Sequence, residues 1–136
     1  MDYVPLALTT MVLFGVHYFL AKVISPHISS SAIALLGGVA FLLIVFGYIY
    51  FTKTPIMPEQ KQYFWYAILI GIPMAIGILT LYMAIAKGPV SVVMPIYALN
   101  AMFVALLGIL ILRESVTVER VLGLVLAVAA IVLLSR

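Results

Sequence analysis

The sequence predicts an all-α, polytopic membrane protein with five transmembrane helices, and three observations lead there. Of its 136 residues, 67% are hydrophobic and only 8% are charged, a balance that leaves a water-soluble domain too few charges for its surface. The apolar residues fall into runs of about twenty, the length a helix needs to cross a hydrocarbon core roughly 30 Å thick. Backbone amides inside a bilayer have no water to bond, so an uninterrupted apolar run of that length becomes a helix.

The first run spans about 3–24 and stops at Ser25-Pro26. It reads as a retained helix, because it has no basic leader, exceeds the length of a signal-peptide core and offers no Ala-x-Ala cleavage site. The second spans about 30–51 and ends in Thr52, Lys53, Thr54 and Pro55. The third, about 63–86, starts at the aromatic cluster Tyr63 to Tyr66. Lys87, Gly88 and Pro89 then form a tight turn: glycine suits the turn, proline suits the first turn of the next helix, and the lysine ammonium snorkels to the headgroups. The fourth run spans about 90–112 and holds Pro95 in its interior, where the ring removes one backbone bond and crowds the Ser91 carbonyl, predicting a kink. The fifth spans about 118–134, with Thr117 as its N-cap and Glu114, Glu119 and Arg120 as turn and cap chemistry. All five belong to a single domain.

The same residues exclude several functions. There is no cysteine, hence no disulfide, thiolate metal site or thiol nucleophile. The net charge of +3 is spread over helix ends and forms no nucleic-acid patch. Asp2, Glu59, Glu114 and Glu119 all lie at helix ends or in loops, so a carboxylate proton relay inside the membrane is not expected. No nucleophile and base pair and no metal-ligand spacing is present, so neither an enzyme, a resident metal nor a cofactor is expected. Lys53, Lys61, Arg113 and Arg120 fall on the side of the N-terminus, against Lys22, Lys87 and Arg136 on the other. This excess of one basic residue votes weakly for an inside N-terminus. It leaves open insertion in both orientations, with an antiparallel pair building an inverted repeat by assembly.

Polar side chains within a span are costly unless they face protein or water, which makes them functional candidates. Thr10, Phe14, His17 and Ala21 share one face of the first helix, and Tyr97, Asn100 and Val104 share one of the fourth. At 1.5 Å per residue, His17, Tyr97 and Asn100 fall within roughly 5 or 6 Å of their helix centres. If protons are coupled at all, His17 is the one side chain at that depth of a type suited to the task. Each has a plainer reading, an imidazole or amide bonded to a neighbouring helix as packing glue. Pro95 also has one, since prolines are common in membrane helices. It gains interest because the carbonyl it releases lies beside Tyr97 and Asn100, in the manner of discontinuous transport helices. Small residues form a stripe on helix three, including Gly77 and Thr80, and another on helix five, Gly123, Ala127 and Ala130. Such stripes admit close helix approach, and the expectation assigns helix three to the internal bundle and helix five to a dimer.

The stretch LYMAIAKGPVSVVMPIYALN at 81–100 adds a resemblance. Tyr82, Ala84 and Ala86 at a helix end, the small-residue turn, Pro95, Glu114 after helix four and Gly123 in helix five together resemble the second portion of an EamA domain of the drug/metabolite transporter superfamily. Helix one, with Gly15, His17 and Lys22, is similar to that family's opening helix. The resemblance covers nearly the whole chain. It implies a half-size transporter in the plasma membrane that works as a homodimer, because fuller members carry two such domains. It further implies alternating access and a small organic solute: a metabolite, an amino acid or a hydrophobic drug, with export as the direction. The solute site would use His17, Tyr97 and Asn100, with Tyr82 and the Pro95 break. Two alternatives stay open, a membrane scaffold that transports nothing and a subunit of a flippase for lipid-linked substrates.

Overall fold

The computed structural model describes residues 3–113 and 117–134. Among these residues, six helices appear in chain order: α1 Tyr3–Ile24, α2 Ser30–Thr52, α3 Lys61–Lys87, α4 Val90–Ala98, α5 Asn100–Leu110 and α6 Val118–Leu134. No strand occurs among the described residues. Among the described residues, four stretches are long and apolar enough to cross a membrane, α1, α2, α3 and the combined Val90–Leu110, with α6 as a shorter apolar helix.

Local chemistry places the ends. Ser29 caps α2 by accepting the Ala32 N–H on its hydroxyl at 3.3 Å, as an N-cap serine does for one of the orphan donors of a first turn. Lys53 ends α2 in the left-handed region, φ 53°, and Pro55 lies two residues on. Thr117 occupies the N-cap position of α6, its carbonyl accepting the Val121 N–H at 3.2 Å.

The fourth span differs from the single helix expected over 90–112. It divides at Leu99 into α4 and α5 and stops at Leu110. Pro95 has no N–H to give the Ser91 carbonyl. Four residues later the Leu99 N–H donates to Ile96, three residues back, at 3.1 Å. The α-helical ladder is thus interrupted twice within one turn.

By its contacts the chain forms two compact units that divide between Lys87 and Gly88. In the first, α3 packs against both α1 and α2. The buried side chains are Tyr18 and Ala21 of α1, Ile33 of α2, and Leu81, Tyr82 and Ile85 of α3. These come from the end of α1, the start of α2 and the end of α3, so the core sits at one end of the unit. In the second, α4 packs against α6 and α5, and the half-buried Leu124, Val128 and Ile131 fall on one stripe of α6.

Large apolar side chains such as Leu43, Ile44, Phe51 and Leu110 stand exposed along the helices. A patch of that extent is untenable in water. In a bilayer it is the lipid-facing surface, so the chain is a membrane protein.

Candidate functional site

The site builds from helical spacing on α1. Phe14, His17 and Tyr18 lie three and four residues apart and therefore on neighbouring positions of one face. Phe14 stacks on Tyr18 with ring centroids 5.9 Å apart, and His17 meets the edge of Tyr18 at 5.1 Å. From α3, Tyr82 brings its ring to 5.9 Å from the imidazole and its hydroxyl to 2.7 Å from His17 Nε2. Tyr82 is buried and His17 half-buried. With the ring proton on Nδ1, Nε2 accepts from the tyrosine hydroxyl; in the imidazolium form it donates to that oxygen. The contact can therefore persist through a change of protonation, with the direction of its proton reversed.

One turn further along α1, Lys22 Nζ donates to the Ile85 carbonyl of α3 at 2.8 Å. Ser25 Oγ in turn donates to the Lys22 carbonyl at 2.9 Å. The two α1–α3 bonds pair 17 with 82 and 22 with 85, in the same order, so these helices run parallel. No described buried side-chain nitrogen or oxygen lacks a partner, as a stable polar cluster in lipid requires.

Of the five residues expected to meet solute, the first unit thus brings His17 and Tyr82 together. Pro95, Tyr97 and Asn100 belong to the second unit and gather around the α4/α5 break. Pro95 is half-buried in α4, Tyr97 is 38% exposed, and Asn100 opens α5 as an exposed amide. Sequence reasoning missed two contributors. Tyr18 was hidden by the ordinary look of a tyrosine in an apolar run, although its place beside His17 was readable. Lys22 looked like an interfacial lysine, and its partner lies 63 residues away.

On helix three, which packs against α1 and α2, the small-residue stripe lies outside the buried contacts of the first unit. Gly77 and Thr80 are exposed, and a Cβ added at Gly77 meets nothing within 4 Å. The Thr80 hydroxyl bonds back to the Ile76 and Gly77 carbonyls of its own helix at 3.0 and 2.9 Å. The larger Leu81, Tyr82 and Ile85 make the core contacts of α3 in the first unit instead. On α6, Gly123, Ala127 and Ala130 are exposed, one position away from the half-buried stripe on each turn.

Apolar helices with an exposed apolar surface, and with a histidine, a tyrosine and an asparagine set inside the spans, define a polytopic helical membrane protein. The model of the EamA-like transporter family matches residues 2–136. The chain belongs to that family, and its matched extent is that of a half-size member of the drug/metabolite transporter superfamily. It is a family of membrane transporters rather than of enzymes. Over 133 residues the chain is 33% identical to an uncharacterized protein of Methanocaldococcus jannaschii, covering 96% of this chain and 93% of that one. No solved structure matches it.

Proposed function

We propose that this protein is a half-size transporter that works as a homodimer in the plasma membrane and exports a small organic solute by alternating access. The observation that carries the reading is the His17–Tyr82 pair, a 2.7 Å hydrogen bond between two spanning helices in a chain whose family transports. Polar groups inside spans are expensive and tend to mark a path for solutes or ions. The break after Pro95, with Tyr97 and Asn100 beside it, supports the reading from the second unit, because interrupted helices present backbone acceptors to solutes. Each of the two groups offers polar contacts at membrane depth. The absence of a carboxylate from the interior of any run in the sequence leaves recognition to imidazole, phenol and amide, which suits a neutral or zwitterionic metabolite, an amino acid or an apolar drug with one polar end. Repeat logic supports the homodimer: many transporters work through two related halves, and residues 2–136 match one EamA-like model.

The test is a solute screen by thermal stabilisation of the purified protein, followed by flux of each hit into proteoliposomes. A ligand that binds the folded state raises its stability in proportion to the logarithm of its concentration over Kd. The reading expects a stabilising solute whose binding weakens in Asn100→Leu and whose flux falls in Tyr82→Phe. A scaffold expects no stabilising small solute at all. A flippase subunit expects stabilisation by lipid-linked compounds alone.

A further inference from the structure

α3 ends with a deficit. The last four carbonyls of any helix lack intrahelical donors, and for α3, which ends at Lys87, these include Ile85. The residue that would donate to Ile85 in a continuing helix is number 89, and it is a proline without an N–H. Ile85 is fully buried, so its carbonyl has little access to solvent. The donor that arrives is the Lys22 ammonium from α1, at 2.8 Å.

A second deficit is electrostatic. α1 and α3 run parallel, so their C-terminal ends, each carrying a partial negative charge of about half an electron, lie on the same side. Lys22 is in the last turn of α1 and reaches the last turn of α3, which also holds Lys87, so Lys22 adds positive charge where both negative ends are. A charge-assisted hydrogen bond is about twice as strong as a neutral one. Tyr82 lies one turn before Ile85 on the same helix, so whatever fixes the end of α3 also fixes the hydroxyl that meets His17.

We infer that Lys22 is the C-cap that α3 cannot make for itself, and that through this cap it is a positioning residue for the His17–Tyr82 pair. The importance of that pair in transport rests on the function proposed above; the cap does not. Lys22 is therefore structural at its ammonium and functional at one remove.

The experiment uses the full chain in nanodiscs with two readouts that need no solute: hydrogen exchange along α3, and the imidazole 15N resonances of His17, with exposed His27 as internal reference. Lys22→Met keeps the apolar stem and removes the charge and the donor. In that variant, exchange in the last turn of α3 is expected to rise about tenfold, the size of losing a hydrogen bond to a charged group. The His17 Nε2 resonance shifts as its bond to Tyr82 loosens, and His27 stays put. Lys22→Arg, which restores a cationic donor, returns both readouts toward the parent. Unchanged exchange in Lys22→Met overturns the cap. Faster exchange with an unchanged His17 resonance overturns the positioning role. Acceleration throughout α2 and the second unit also overturns the local reading, and Lys22→Gln, a neutral donor that retains a hydrogen bond, separates a lost cap from general unfolding by accelerating less than Lys22→Met. Flux enters none of these outcomes, so a failed transport proposal leaves this result intact.

Discussion

A half-buried imidazole within a span has few ways to satisfy its second nitrogen, and Tyr82 supplies one. The 2.7 Å contact ties α1 to α3, so its energy belongs to both packing and chemistry. Hydrogen bonds between membrane helices contribute about 0.6 kcal/mol on average and about 1.7 at most. A double-mutant cycle over His17→Ala and Tyr82→Phe, read by unfolding in mixed micelles, should return a coupling in that range; zero coupling would mean the two side chains do not bond in the folded protein. His17→Gln keeps hydrogen-bonding capacity without titration. If a proton step runs through this imidazole, flux depends on pH in the parent and not in His17→Gln, whereas identical profiles leave His17 a binding or packing residue only. At this scale the sequence was half legible. His17 stood out because it is the one histidine well inside an apolar run. Its pairing with a residue 65 positions away has no local periodicity to announce it, and the same is true of Lys22 and Ile85.

Helices were legible where hydrophobic length and punctuation agreed. Ser25-Pro26, Thr52 to Pro55 and Gly88-Pro89 mark boundaries because they stop helices for stated steric reasons, and α1, α2 and α3 end beside them. The break at Leu99 was only partly readable, since Pro95 predicts a disturbed turn but cannot say whether the helix bends or divides. Proline in a helix interior costs roughly 3 kcal/mol or more in water, and less in a membrane helix whose freed carbonyls find other partners. Pro95→Ala should restore the N–H beneath the Ser91 carbonyl, join α4 to α5, and raise stability by about 1 kcal/mol. If the break presents acceptors to solute, flux falls in the same variant. Hydrogen exchange across 91–99 checks the repaired ladder: amides there should slow, and unchanged exchange would show that the break has a cause other than the proline. Helix three teaches the opposite lesson. Its stripe of Gly77 and Thr80 resembles a packing face, yet Leu81, Tyr82 and Ile85 make the buried contacts, because small residues permit close approach but contribute little apolar area of their own.

For the molecule as a whole, one exposed stripe and one small charge difference bear on the proposed homodimer. Gly123, Ala127 and Ala130 leave an open strip along α6, which suits close contact with a second copy. If the proposed dimer uses this strip, Ala127→Leu shifts it toward monomer in mild detergent, read by mass photometry, while helix content stays unchanged; an unaffected dimer would place the interface elsewhere, and a monomeric parent would overturn the dimer. How the two copies are oriented depends on topology. Four basic residues flank the helices on the N-terminal side and three on the other, and orientation follows a Lys/Arg excess in short loops, so an excess of one sets it weakly. A chain so balanced can insert both ways, and two oppositely inserted copies would form the inverted repeat that larger transporters carry within one chain. Because the chain has no cysteine, single cysteines report orientation without background. Ser29→Cys, beside the start of α2, and Met57→Cys, between α2 and α3, lie on opposite sides of the membrane. Mixed insertion predicts that an impermeant thiol reagent labels part of each population in intact cells. One orientation predicts full labelling of one site and none of the other. Adding two lysines near Ser29 raises that side from three to five basic residues against four and should then draw it inward, because the side richer in basic residues stays in the cytoplasm. If mixed insertion is what permits assembly, the labelled fractions and the dimer yield change together, and a population forced into one orientation loses its antiparallel pairs.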